Sequence, residues 1–348
     1  MKSELVSSPV GRDLDVDSLS AWLGDKVPGF GDILVAEKFS GGQSNPTYKL
    51  TSPEGICVLR TKPLGPVVTG AHAIDREVRV MTALHKVGFP VPRVLGFCSD
   101  KEIIGREFYV MEMVQGRIFW DATFPDVNEQ ERPRYFDSMN ATLAKLHQFD
   151  VHELGLDDFG KPGNYFKRQI NRWSRQYFDD DLAGRDDNMD RVIHWLEARA
   201  PDAADVSIVH GDFRCDNLIF HPTKPEVIAV LDWELSTLGN PLSDFAYHAS
   251  MYHMPPDIVA GLASADIKAL NIPTEEEYIA AYCRRMGRER IADYHFCLVF
   301  NFFRLGAICH GIKGRVIRGT ASSMEARDKA GKFPRLASIA WSLAEKAG

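Results

Sequence analysis

The sequence predicts an α+β fold in two lobes, a small strand-rich N-terminal part and a larger, mostly helical C-terminal part. Three observations carry that prediction. Short β-like runs crowd residues 1–113, and helical periodicity dominates residues 114–348. A 348-residue chain that is 45% hydrophobic and 26% charged also has the composition of a folded protein with room for two cores. The junction is a connector over residues 111–116, and ligand sites favour such junctions between lobes.

Residues 14–24 read as a short amphipathic helix. Ile33 to Lys38 and Tyr48 to Leu50 follow as strands around the polar turn Ser40-Gly41-Gly42-Gln43-Ser44-Asn45. Ser52-Pro53-Glu54-Gly55 turns the chain into a strand from Ile56 to Lys62, which Pro63 ends. Alternation sets Val58, Arg60 and Lys62 on one face of it. From Ala73 to Val87 the apolar positions Ile74, Val78, Met81, Ala83 and Leu84 approximate helical spacing, and Gly88 with Pro90 stops the helix. Strands are expected at Val91 to Phe97 and Phe108 to Met113.

After the connector, helices are expected at Glu129 to Phe149, Tyr165 to Phe178, Asn188 to Ala200, Thr274 to Met286, Ala292 to Ile312 and Ser322 to Lys346. Between Val206 and Trp233 the apolar runs Ile219-Phe220 and Val227 to Leu231 flank turns and read as a small β insertion.

The net charge of −7 provides no global positive field, which argues against nucleic acid and anionic membrane as partners. Six cysteines are scattered singly, without metal-ligand spacing, which argues against structural zinc and a disulfide framework and points to a reducing, cytoplasmic location. The N-terminus has no apolar core of the signal-sequence kind. The most apolar stretch, Cys297 to Ile312, is interrupted by Asn301, Arg304 and His310, so it reads as a buried helix and not a membrane span.

The chemistry concentrates in His210-Gly211-Asp212-Phe213-Arg214-Cys215-Asp216-Asn217, followed fifteen residues after Asn217 by Asp232 at the end of an apolar strand. Phosphoryl transfer needs one carboxylate to accept the hydroxyl proton, and an amide oxygen plus a second carboxylate to hold Mg²⁺ against the phosphates. Asp212 suits the first role; Asn217 and Asp232 suit the second. Taken singly, each has an ordinary explanation as a turn cap, a surface amide or a strand end. Their joint spacing carries the inference.

HGDFRCDN together with VLDWELSTLGNPLSDFAY resembles the aminoglycoside and choline kinase superfamily, over about residues 30 to 320. More narrowly, NYFKRQINRWSRQY, VLRTKP and LDWELSTLGNPLSD resemble the phosphotransferase-like domain associated with acyl-CoA dehydrogenases. The resemblance implies a two-lobed protein-kinase-like fold and a small-molecule kinase that uses Mg²⁺ and ATP, with GTP as the alternative. It likens the turn bearing Gly41, Gly42, Ser44 and Asn45 to a phosphate-covering loop. Where the family usually has a phosphate-gripping lysine, this chain has Arg60, with Lys62 two residues on; either side chain is a candidate for the phosphates. Arginine keeps the charge and can bind bidentately, yet it is not a neutral replacement. Glu77 matches the glutamate partner, Glu112 and Met113 the hinge that meets the adenine edge, and His210 and Asp244 structural roles around the catalytic loop.

Two basic clusters are candidates for an anionic acceptor, such as a hydroxyacyl thioester of coenzyme A or another anionic metabolite. Arg168, Arg172 and Arg175 share one helical face. Arg304, His310, Lys313, Arg315 and Arg318 fall in a stretch without Asp or Glu between Tyr294 and Met324. The rival acceptor is an aminoglycoside-type polycation, for which Asp179-Asp180-Asp181 and Asp186-Asp187 could line a pocket. A nucleotide-binding pseudokinase or scaffold is the alternative function, supported by Arg60 alone. A protein kinase is disfavoured, because no APE-type segment follows Asp232.

Overall fold

The computed structural model describes residues 5–6, 14–33, 35–39, 45–64, 73–161, 163–202, 205–321 and 324–347. In chain order the first elements are β1 (Leu5–Val6), α1 (Val16–Lys26), β2 (Val35–Phe39), β3 (Thr47–Ser52), β4 (Gly55–Thr61), α2 (Ile74–Lys86), β5 (Val94–Cys98) and β6 (Phe108–Glu112). Then come α3 (Arg132–His147), α4 (Tyr165–Phe178), α5 (Asp187–Arg199), β7 (Ser207–Val209), β8 (Leu218–Phe220), β9 (Val227–Val230) and β10 (Thr237–Gly239). Helices α6 (Pro241–Ala249), α7 (Glu275–Arg285), α8 (Tyr294–Ile317), α9 (Met324–Gly331) and α10 (Phe333–Ala347) complete the chain. The fold class is α+β, as the sequence predicts.

Contacts group the residues into two compact units. Unit 1 comprises Met1–Trp120, Leu154–Leu156 and Asn217–Ser236; unit 2 comprises Asp121–Glu153, Asp157–Asp216 and Thr237–Gly348.

Unit 1 is built on a six-stranded antiparallel sheet in the order β1-β2-β3-β4-β6-β5. The β3–β4 hairpin sets Ser52 opposite Gly55. Leu50, Cys57, Leu59, Phe108 and Val110 form a core with Leu19 and Leu23 of α1. Trp22 stands edge-on to Phe108, with ring centroids 4.8 Å apart. Asp15 starts α1 by accepting the Ser18 N–H at 3.0 Å. Helix α2 buries Ile74, Val80, Met81 and Leu84, and on the same buried face a carboxylate, Glu77.

The β8–β9 hairpin belongs to unit 1 because its backbone is bonded there. Val230 N–H donates to the Pro90 carbonyl at 2.8 Å, and Arg117 and Phe220 exchange two backbone bonds of 2.8 Å. Gly116 is obligatory at that approach, since a Cβ would lie 2.3 Å from the Phe220 carbonyl oxygen. The residue 113/114 boundary drawn from sequence therefore falls inside unit 1, which runs on to Trp120 and recruits residues 217–236.

Unit 2 is organised around α8, whose 24 residues have an apolar window of mean hydropathy 1.3, long and apolar enough to cross a membrane. That window is 72% buried inside the protein, and Phe296 and Phe300 pack edge-on to Phe166 of α4 at 5.1 and 5.3 Å. The C-terminal helix expected as one rod is two, α9 and α10. Helix α6 was not read as an element from sequence; Asn240 caps it by accepting the Leu242 and Ser243 N–H groups, with Pro241 in its first turn. All six cysteines are free thiols, five of them buried.

Candidate active site

The candidate residues fall into two clusters, one in each unit. Gly41, Gly42 and Ser44 lie outside the described residues.

In unit 1, Arg60 projects from β4 on the face opposite the α1 core and is 8% exposed. Its Nε approaches Glu77 Oε2 at 2.9 Å, its Nη2 donates to Asp232 Oδ1 at 2.8 Å, and Glu234 stands 3.7 Å away. Glu77 also accepts from the Asn45 side-chain amide and the Tyr109 hydroxyl, both at 2.9 Å. Burial opposes the charge on Arg60, but the acidic partners, Glu77 foremost, outweigh it and raise its pKa above the ordinary value. Lys62 takes another course, an ion pair with Glu107 at 2.6 Å. The Glu77-facing cation of this strand is thus the arginine.

Asp232 follows β9 in a left-handed conformation, φ 64° and ψ 66°, which costs about 1–3 kcal/mol for a residue with a Cβ. The conformation ends the strand and lets Trp233 turn inward, where its indole N–H donates to the Val230 carbonyl at 3.0 Å. Leu231 N–H donates to the Asn217 carbonyl at 2.8 Å. That bond sets the backbone of Asn217 alongside the end of β9. Glu112 accepts the Arg93 N–H at 2.9 Å. Met113 follows it as the first residue after β6.

In unit 2 the loop after β7 is held from α6. Asp244 accepts the His210 N–H at 2.7 Å on Oδ2 and the Gly211 N–H at 2.8 Å on Oδ1, and the His147 ring meets Oδ2 at 3.2 Å. Burial alone would raise the Asp244 pKa, but His147 and the loop amide hold it below the usual carboxylate range. Gly211 has φ 83°, a left-handed turn that glycine adopts without strain. Its carbonyl accepts from the Arg304 guanidinium. His210 accepts the Asp212 N–H on Nδ1 at 3.2 Å, so its ring proton sits on Nε2. His248 donates from Nδ1 to the Phe213 carbonyl at 3.1 Å and accepts the Tyr278 hydroxyl on Nε2 at 2.6 Å. Burial pushes the His248 pKa down to about 4.

Asp212 accepts the Tyr247 hydroxyl on Oδ1, and Arg214 Nε stands 3.0 Å from that same oxygen. Arg214 Nη2 reaches Asp216 at 3.1 Å. Arg214 and Tyr247 also line a recess whose other walls are largely apolar, among them Phe124, Met139, Met251 and Met254.

The basic clusters are less available than their sequence implies. Arg304 is buried, bonded to the loop carbonyl and stacked over the Tyr247 ring at 5.0 Å, so it braces the loop rather than facing solvent. His310 and Lys313 donate to the carbonyls of Gly184 and Ala183 at 2.8 and 2.6 Å, and Arg318 binds both oxygens of Asp180. The acid-free run is thus matched by a loop that lies before α5. Arg315 is exposed. Arg168 donates to the Gly163 carbonyl, and Arg172 lies over the neighbouring Trp173 ring at 4.8 Å.

Sequence reasoning missed Tyr247, Arg214, Tyr109 and Glu234. Tyr247 was findable, because it follows Asp244 by three residues and shares its helix face. Tyr109 carried no signal, being one aromatic in an apolar strand.

A phosphotransferase fold with this loop is what the comparisons return. A model described as the phosphotransferase enzyme family matches residues 35–294, and the chain belongs to that family. It is 43% identical over 89% of its length to acyl-CoA dehydrogenase family member 10 of Mus musculus, covering 29% of that protein. Across the curated relatives it matches, this chain spans less than half of their length, 29% in that mouse protein and 44% in member 11 of Gallus gallus. A crystal structure from Ralstonia eutropha, provisionally described as an aminoglycoside phosphotransferase, is 45% identical, with a TM-score of 0.85 over 96% of this chain and 99% of that one. A spectinomycin phosphotransferase solved with ADP and spectinomycin shares the fold alone, at 12% identity and a TM-score of 0.65 over 94% of this chain and 98% of that one.

Proposed function

We propose that this chain transfers the γ-phosphoryl group of ATP onto a hydroxyl of a small acceptor, with Mg²⁺ as the metal. The observation that carries the reading is the Arg60–Glu77–Asp232 network, which holds a strand cation, a helix carboxylate and a strand-end carboxylate together.

The donors suit Mg²⁺. The Leu231–Asn217 backbone bond brings the backbone of Asn217 to the end of β9, one residue before Asp232, and the described residues contain no group of three His, Cys, Asp or Glu that would enclose a metal. Two oxygen donors with the rest left to phosphate and water is the pattern Mg²⁺ prefers over a full protein cage. Bound there, the ion supplies charge neutralisation of the phosphate oxygens. Arg60 contributes a fixed positive charge to the same end, and Asp232, paired with Arg60, would be one of the residues to hold the metal. Asp212 accepts the acceptor's hydroxyl proton as its oxygen bonds to the γ-phosphorus and the bond to the departing ADP breaks.

For the acceptor, we favour an anionic metabolite such as a hydroxyacyl thioester over a polycation. Asp180 is already neutralised by Arg318, which weakens the acidic lining an aminoglycoside would need. The decisive experiment incubates the protein with Mg-ATP and a panel of hydroxyacyl thioesters, phosphorylated alcohols and aminoglycosides, scoring ADP release and phosphorylated product. Product with a hydroxyacyl thioester, lost in Asp212→Asn while ATP affinity stays within about threefold, is the expected result. ATP binding with no transfer to any acceptor or to water would support a pseudokinase.

A further inference from the structure

We propose that Tyr247 and Arg214 are positioning residues for Asp212, setting which carboxylate oxygen is offered to the acceptor; this rests on Asp212 being the base of the proposed transfer. Both act on one atom. The Tyr247 hydroxyl donates to Asp212 Oδ1, and Arg214 Nε lies 3.0 Å from that oxygen. The terminal torsion of an aspartate is broad and roughly two-fold, so a hydrogen bond and a fixed charge on one oxygen bias which oxygen a hydroxyl meets. The Tyr247 hydrogen bond and the Arg214 charge beside it favour one rotamer.

Tyr247 is itself held. It is buried, Arg304 stacks over its ring at 5.0 Å, and three residues earlier on the same helix Asp244 binds the His210 and Gly211 amides. The helix that shapes the loop backbone therefore also places the phenol that aims its carboxylate. Arg214 is anchored at its other end by Asp216 Oδ2, 3.1 Å from Nη2. Both side chains also form part of the wall of a small recess beside the loop. Orientation of this kind is worth a good deal, since small misplacements of a reacting group cost large factors in rate.

The test compares wild type with Tyr247→Phe, Arg214→Gln and Arg214→Lys, measuring kcat and KM for Mg-ATP turnover with water and with the hydroxylated panel as acceptors, together with ATP affinity by calorimetry and the melting temperature. Tyr247→Phe should lower kcat about tenfold and Arg214→Gln by more, with KM for ATP within about twofold. Arg214→Lys should recover part of the loss. Wild-type kcat in both Tyr247→Phe and Arg214→Gln overturns the positioning role and leaves the transfer reading standing. So does a parallel fall of kcat, ATP affinity and melting temperature that lysine does not relieve, because that is a folding defect. A wild-type protein that turns over ATP with no acceptor, water included, overturns the transfer reading itself.

Discussion

Arg60 is where a residue-level rule is broken and compensated. A buried guanidinium is costly unless its partners are close and charged, and here Glu77, Asp232 and Glu234 surround it. Arg60→Ala would strip the counter-ion from two carboxylates at once, and removing one side of a buried pair costs about 3–5 kcal/mol. The expected outcome is a matching fall in the urea midpoint. Arg60→Lys keeps the charge but offers a point contact in place of a fork, so it should lose less stability while still separating Glu77 from Asp232. Equal losses in the two variants would mean that charge is irrelevant at this position. The residue-level motif was legible because Asp212, Asn217 and Asp232 sit at constrained spacings; which of Arg60 and Lys62 faces Glu77 was not, because alternation places both on one face. Glu107, forty-five residues from Lys62 in sequence, settles it.

At the scale of elements, α6 holds the loop after β7 through Asp244, and one of its ties is sensitive to pH. His248 is neutral when folded, with its pKa lowered from 6.5 to about 4. The unfolded chain takes up a proton below about 6.5 while the folded one resists until about 4, so the unfolded state binds more protons across that window. Stability is therefore complete above it and declines as pH falls through it, by about 3 kcal/mol. Urea denaturation at pH 7.5 and 4.5 should show a steeper loss in wild type than in His248→Gln, which cannot titrate. A second element-level prediction concerns the approach of the connector to β8. In Gly116→Ala the new Cβ would collide with a backbone oxygen at 2.3 Å, so the chain must shift and several kcal/mol of stability should be lost in thermal denaturation. Strands and long amphipathic helices were readable because their periodicity is local. Helix α6 was not, since every residue from Ser243 to Ala249 is buried and no polar face marks a period.

For the whole molecule, binding is the accessible observable. A ligand that binds only the folded protein stabilises it by RT ln(1 + [L]/Kd), about 2.7 kcal/mol at a hundredfold excess over Kd. Mg-ATP should raise the melting temperature by several degrees, EDTA should remove most of that rise, and Asp232→Ala should blunt it. An EDTA-insensitive shift would contradict the metal role given to Asp232. The charge balance also looks different at this scale. The basic run along α8, conspicuous in the sequence, spends His310, Lys313 and Arg318 on one loop between Asp180 and Gly184, so counting charges along the chain overestimated the field it offers an acceptor.

The sequence by itself determined what is local or rigidly spaced: the α+β class, the strands of the first sheet apart from β1, the long helices, and the HGDxxxxN loop with its later aspartate. Those features are set by backbone periodicity and by chemistry that tolerates few residue types. Tertiary structure alone decided the partners. That Glu77 collects Asn45, Arg60 and Tyr109, that Arg304 turns inward to the Gly211 carbonyl, and that Tyr247 reaches Asp212 all depend on contacts between residues from 17 to 93 positions apart. A side chain's surroundings at such separations are fixed by packing, which no local pattern encodes.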